Sequence, residues 1–358
     1  MVWALLGTVV AAAFVIGAVR ANGGNILDLI QPGAQGPARG VIQRDFPTSP
    51  LPPGLGHDGQ QFYAIARQPM HPRAAAGDLD RPRYRLQRPL YPWLAWALHP
   101  SGGGIGLIRA MLLIGLLATF GGGLATGALA TTLGGPSWLA ALFPLLPGTY
   151  VSLRISTADA LAAGLTAAAL ALSLRRRSWA AVAVAVGAVL TKEVMLLVFL
   201  IWAVTRRDRG SRIMAGTGIL ALGGLALALR VILPGRGTGV VDVTVPGRGL
   251  LDAARHWSGG HDLGAAAFVL VSLVLAAAAL ARQRLRTPIG WLIAGQLALL
   301  VLLRSDAHQL WLNGTRVELP LVLFSLIGLT CPASAGIWTP TGVGDRPGSP
   351  YGATTSTE

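Results

Sequence analysis

The chain is short of charge and of cysteine, and it has almost no lysine. Only 12% of its 358 residues are charged, against about 25% in a soluble domain. The polar surface that would cover two or three soluble domains of this length is therefore missing. The single cysteine, Cys331, excludes an intramolecular disulfide and any cysteine-based metal cluster. Lys192 is the only lysine among 29 basic residues, so arginine carries the net charge of +14. A basic balance of this kind serves nucleic acid when it is displayed on a polar surface. Here the arginines punctuate long apolar runs, and nucleic acid is excluded as a partner. What the chain does have is apolar side chains, 53% of the total, with a mean hydropathy of +0.57. The fold class this predicts is all-α, as a polytopic integral membrane protein.

A membrane helix needs about 20 mainly apolar residues. Such runs are expected at about 2–19, 105–133, 137–153, 157–174, 211–233, 264–281, 287–303 and 317–331. The first lacks a basic leader and is followed by further spans, so it reads as a retained anchor rather than a signal peptide. Residues 90–98 (LYPWLAWAL) are too few to cross and suit an interfacial helix. The segment 178–205 is apolar around a central Lys192-Glu193 and reads as one helix or as two. Loop charge decides between them. The short loops at 175–177, 206–212 and 282–286 hold ten arginines against Asp208, so the positive-inside rule places all three in the cytoplasm. The first two share a side only if the chain crosses twice between them. About ten membrane segments result, forming one transmembrane helical domain over 1–331. Residues 20–88 become a long first extracytoplasmic loop, and Lys192 and Glu193 lie toward the outer side. The tail 332–358, rich in Gly, Pro, Ser and Thr, is expected to be disordered.

This topology places the other charges near span ends at the outer side, among them Arg109, Arg154, Asp159, Arg230, Arg304, Asp306, Arg316 and Glu318. Charge at membrane depth costs at least a few kcal/mol per residue, so it is usually paired or functional. Snorkelling from helix ends is the plain alternative. The richest stretch is 57–96, HDGQQFYAIARQPMHPRAAAGDLDRPRYRLQRPLYPWLAW. It carries Asp58, then Asp78 and Asp80, then Arg83, Arg85 and Arg88. Guanidinium groups grip phosphate in a two-pronged fork and keep their charge. A carboxylate serves as a general base toward a hydroxyl, or holds a divalent cation through oxygen; His57 could join Asp58 in the latter. Each signal has a structural counterpart. Asp58 suits the N-cap of a helix beginning near Gly59, and a proline-rich turn accounts for Asp78-Leu79-Asp80 as well as a D-x-D motif does. The arginines could anchor the chain to anionic lipid headgroups. Lys192 and Glu193 could neutralise one another at a helix break. Gly123 and Gly127 have the small-xxx-small spacing of packed membrane helices.

The runs HDGQQFYAIA and LDRPRYRLQRPLYPWLAW resemble bacterial members of the C-type membrane glycosyltransferases, relatives of the second mannosyltransferase of GPI-anchor synthesis. The resemblance is strong over about 40 residues. It continues loosely in STADALAAGLTAAALAL (156–172), LTKE (190–193) and RVELPLVLF (316–324). It implies inverting sugar transfer from a polyprenyl-phosphate donor to a glycan or lipid acceptor at the extracytoplasmic face of a bacterial plasma membrane. Asp58 stands where those enzymes have their essential acid and would be the general base. The substrate-binding candidates are Arg83, Arg85, Arg88, Asp80, Asp159, Lys192, Glu193 and Arg316. Many relatives have two adjacent acids where this chain has His57-Asp58, and Asp159 is the candidate for a second outer acid. The rival readings are a transporter or flippase for a lipid-linked or anionic solute, and a non-catalytic scaffold of envelope assembly.

Overall fold

A computed structural model describes residues 1–235, 243–258 and 262–333; beyond residue 333 the tail expected to be disordered lies outside the described residues. Among the described residues the chain is all-helical, with two isolated β-bridges and no strand. Helix α1 (Val2–Ala21) is followed by a string of short helices, α2 (Arg39–Asp45), α3 (Asp58–Arg67), α4 (Pro72–Ala75), α5 (Pro82–Leu86) and α6 (Leu90–Leu98). Then come α7 (Ile105–Thr132), α8 (Leu139–Leu145), α9 (Pro147–Arg154), α10 (Asp159–Leu174), α11 (Ser178–Thr191), α12 (Met195–Arg206) and α13 (Arg209–Ile232). The last third holds α14 (Arg248–Ser258), α15 (Leu263–Gln283), α16 (Pro288–Leu302), α17 (Asp306–Gln309), α18 (Trp311–Val317) and α19 (Leu319–Thr330).

Four of these are long and apolar enough to cross a membrane, in α1, α7, α13 and the stretch from Leu263; α18 and α19, bent by 51°, make a fifth if taken as one span. The other expected segments form shorter apolar helices or are split, for local reasons. The run 137–153 divides because Pro147 opens α9 and Leu146 before it is extended (φ −61°, ψ 134°); a residue preceding proline is pushed out of the helical region. The run 178–205 divides at Lys192, which is also extended (φ −156°, ψ 115°). It is two helices meeting at Lys192-Glu193, as loop charge required.

The three basic loops gather at one end. Arg175 donates to the Thr132 hydroxyl at the close of α7 (3.2 Å). The Gln283 amide donates to the carbonyls of Gly328 (2.7 Å) and Cys331 (3.0 Å), and Leu174, Arg206, Gln283 and Cys331 line one small hollow. The α11–α12 turn is at the opposite end. Most of the helices share one apolar core, through residues such as Phe143, Leu170, Phe199, Trp202 and Phe324. A second core packs the segment between α1 and α7 onto the ends of α1, α7 and α13, through Val15, Ile42, Tyr63, Tyr91, Met111 and Leu233. That segment is therefore a packed cap rather than a loose loop. The small-xxx-small pair works as close packing: a Cβ on Gly123 would lie 2.7 Å from the Ala140 carbonyl, and one on Gly127 2.8 Å from the Ala140 methyl.

Candidate functional site

Under this cap lies a cavity of about 770 Å³, at the end opposite the basic loops. One wall is charged. Asp58 is the first residue of α3; His57 occupies the N-cap position, and no side chain caps the helix. The capping role expected of Asp58 is not the one it plays, because its carboxylate faces two guanidiniums instead. It pairs with Arg85 at 2.9 Å and with Arg316 at 3.1 Å. Arg85 also forks onto Asp80 (2.9 and 3.0 Å). Arg316 reaches on to Asp159 (3.5 Å), which accepts from Lys192 at 2.5 Å and from the Thr157 hydroxyl at 2.8 Å. Charges thus alternate along Asp80, Arg85, Asp58, Arg316, Asp159 and Lys192. Beside this row Arg88 grips Glu193 with two bonds (2.7 and 2.6 Å) and bonds the Tyr84 hydroxyl, its guanidinium 4.3 Å above the Tyr84 ring. Lys192 and Glu193 are neighbours in sequence, yet each is committed to a different element: Lys192 to α10, Glu193 to the chain leaving α5.

Local sequence explains the placement. Arg316 is held by the Leu312 carbonyl (2.7 Å) and the Asn313 side chain (2.9 Å), one turn back on α18. The Gln61 side chain accepts from the Asp80 backbone N–H (3.2 Å), tying the α5 entry to α3. Gly59 lets the start of α3 press against two backbones: a Cβ there would sit 2.2 Å from the Ile155 carbonyl and 2.9 Å from that of Ile30. Backbone cannot give way as a side-chain tip can. Gly59→Ala should therefore cost about 1–3 kcal/mol and move Asp58 off its arginines, read as a lowered Tm of the purified protein.

Two candidates fall outside the cavity. Arg83 points from α5 to the end of α13, where it donates to the Leu233 carbonyl (3.0 and 2.6 Å); it closes a helix C-terminus, where cations are favoured. Asp78 faces Arg44 at 3.7 Å, so the D-x-D spacing does not bring its two acids to one place. Nor does the donor set fit a resident divalent cation. Among the described residues no group of three or more His, Cys, Asp or Glu side chains could hold one, and both Asp58 oxygens face guanidinium nitrogens. Participants without a sequence signal of their own include Tyr84, Thr157 and Asn313. Asn313 stands three residues before Arg316 on α18, a spacing at which helical side chains meet; Tyr84 lies on α5 and Arg88 just past its end.

Burial alone would raise the Asp58 carboxyl, but Arg85, Arg316 and Arg88 outweigh it and hold the group far below the usual range. Asp80 is lowered in the same way, burial being outweighed by its bonds with Arg85. His57 is pushed down by burial and by Arg316 against the pull of Asp58, which keeps it neutral at pH 7. A depressed carboxyl adds stability that is complete above its unfolded value, about 3.9, and is lost as pH falls through and below it. The Tm of the purified protein should decline between about pH 5 and about pH 3, and Asp58→Asn should flatten that decline. An unchanged slope in the variant would show that Asp58 has no part in it.

The lining also has an apolar part, with Val194, Leu222, Leu299, Leu303, Val317 and Pro320. Leu222 comes from α13 and Leu299 from α16, and both helices pack on α12. Gln296, 4% exposed, also lines the cavity. A cavity lined by both a charged row and apolar side chains can take a ligand that is anionic at one point and greasy beside it. Comparison of the chain with family models, with curated proteins and with solved structures gives no match.

Proposed function

We propose that the chain is a polytopic glycosyltransferase of a bacterial plasma membrane, with about ten membrane segments. It transfers a sugar from a polyprenyl-phosphate donor to a hydroxyl of a glycan or lipid acceptor. The observation that carries this reading is Asp58, a carboxylate in an amphipathic cavity beside arginines suited to phosphate. The resemblance of HDGQQFYAIA and LDRPRYRLQRPLYPWLAW to C-type glycosyltransferases rests on the same residues. The positive-inside rule puts the arginine-rich end in the cytoplasm and the cavity on the extracytoplasmic side. Helix α11 has 14 residues, about 21 Å at 1.5 Å per residue, whereas the hydrocarbon core is about 30 Å thick. Lys192 and Glu193 therefore lie below the outer surface, and a polyprenyl chain enters over the apolar wall from the lipid side.

In the reaction the acceptor oxygen attacks the anomeric carbon and the bond from that carbon to the phosphate oxygen breaks. Polyprenyl phosphate leaves with the electron pair, and the hydroxyl proton passes to Asp58. In the free protein Asp58 is a poor base, because Arg85 and Arg316 both stabilise its anion. The donor phosphate competes for those guanidiniums. As it draws them away, Asp58 gains basicity at the moment the donor is in place, and the arginines stabilise the charge that grows on the leaving phosphate. Arg88, buried against Glu193, stands beside these as a further cation.

The test is transfer by purified protein from a panel of defined polyprenyl-phosphate sugars to glycan and lipid acceptors, with product detected by mass spectrometry. Turnover of any pair supports the reading. The break at Lys192-Glu193 and the bend at Glu318 also suit a transporter, whose sites are built at interrupted helices. Movement of the lipid-linked sugar across proteoliposomes without any transfer would decide for that class.

A further inference from the structure

A second hollow, of about 880 Å³, lies at the arginine-rich end, on the flank where α12 finishes and α16 begins. Its floor is apolar and turned outward: Leu200 is 38% exposed, Val204 69% and Trp291 45%. Its rim carries Arg206, Arg207 and Arg286 with Asp208. Arg206 is engaged, with Asp208 at 3.5 Å and with the Trp202 ring at 5.6 Å. The side chains of Arg207 and Arg286 make no hydrogen bond or ion pair to another described residue, and both residues are exposed. They come from different elements, Arg207 from the left-handed turn that ends α12 (φ 58°) and Arg286 from the residues just before the start of α16. Helix α16 opens beside them with Pro288, and its N-terminus adds the positive end of a helix dipole. Loop charge explains why arginines occur at this end. It does not explain why two unpaired ones flank an apolar groove.

We propose that this groove holds one anionic phospholipid of the inner leaflet, its phosphate between Arg207 and Arg286 and its acyl chains along Leu200, Val204 and Trp291. Charge complementarity selects the headgroup, since basic pockets between membrane helices on the cytoplasmic side bind anionic lipid. The outward apolar floor selects a lipid over a free anion, because inorganic phosphate would leave that surface uncovered. The site is separate from the Asp58 cavity and does not depend on sugar transfer.

The experiment is native mass spectrometry of the full chain in mild detergent. It is titrated with phosphatidylglycerol, with phosphatidylcholine of the same chains, and with inorganic phosphate. One phosphatidylglycerol should be retained in preference to phosphatidylcholine. The double variant Arg207→Gln, Arg286→Gln should bind it about tenfold more weakly or worse. The control pair Arg176→Gln, Arg177→Gln, equal in charge removed, should bind as the parent does. Equal retention of the two lipids, an equal loss in the control pair, or displacement of the lipid by inorganic phosphate would each overturn the proposal. If the double variant does not fold, quenching of tryptophan fluorescence by brominated lipids decides. Brominated phosphatidylglycerol should quench more than brominated phosphatidylcholine, Trp291→Phe should abolish the difference, and no difference in the parent would overturn the site.

Discussion

Asp58→Asn should reduce sugar transfer by about 10²–10⁴-fold, the range a positioned general base supplies, while donor binding tightens. The two effects have one origin. In the free protein the Asp58 carboxylate occupies Arg85 and Arg316, and a donor phosphate must displace it. Asparagine keeps the shape but has no charge with which to compete, so both guanidiniums are released to the phosphate. It also cannot take the acceptor proton. Turnover and donor affinity should therefore move in opposite directions, which loss of fold would not produce. The measurement is single-turnover rate and donor dissociation constant on the same preparation, with Tm as a check. If the variant keeps the parental rate with normal folding, Asp58 is not the base. If rate and affinity fall together with Tm, its role is to hold Arg85 and Arg316 in place.

Most of the charged wall was legible because its members sit in short local patterns. Arg85 lies on the short helix after Asp80 and Arg88 just past its end, and Asp159 and Arg316 stand beside apolar runs where an isolated charge would be costly. The break at Lys192 followed from parity: two arginine-rich loops on one side demand an even number of passes between them, and the extended backbone at Lys192 supplies the turn. What sequence could not show was partner choice. Lys192 and Glu193 looked like a mutually neutralising pair, but extended backbone sends adjacent side chains to opposite sides. One reaches Asp159 and the other Arg88. Arg83 and Arg85 differ in nothing that composition records. On α5 they lie two positions apart and so point to different faces, one to the Leu233 carbonyl and one to Asp58 and Asp80. The apolar wall left no trace, because Leu222, Gln296, Leu299 and Leu303 are ordinary membrane-helix residues until α13 and α16 are set on either side of α12. Span lengths were overdrawn where prolines or charge interrupt an apolar run, as at Pro147.

Arg88 and Glu193 can be separated into a structural and a functional share by a double-mutant cycle. Their side chains are 9% and 24% exposed and joined by two short bonds. Removing Glu193 strands Arg88, at a cost of about 3 kcal/mol, the lower end of the measured range because the guanidinium keeps the Tyr84 hydroxyl. Glu193→Leu should therefore lower stability by that amount. Replacing both groups with apolar side chains of similar size removes the stranded charge along with its partner, and stability should largely recover. The double variant Arg88→Met, Glu193→Leu is thus expected to unfold near the parental temperature. Its turnover should not recover, because an apolar pair has nothing to offer a phosphate. Recovery of both stability and turnover would assign Arg88 to holding α5 against the α11–α12 turn alone. Recovery of stability with turnover still lost by tenfold or more, on donor concentrations that saturate the parent, would place its guanidinium on the reacting phosphate. Thermal unfolding and transfer rates of the four proteins in one detergent distinguish the two.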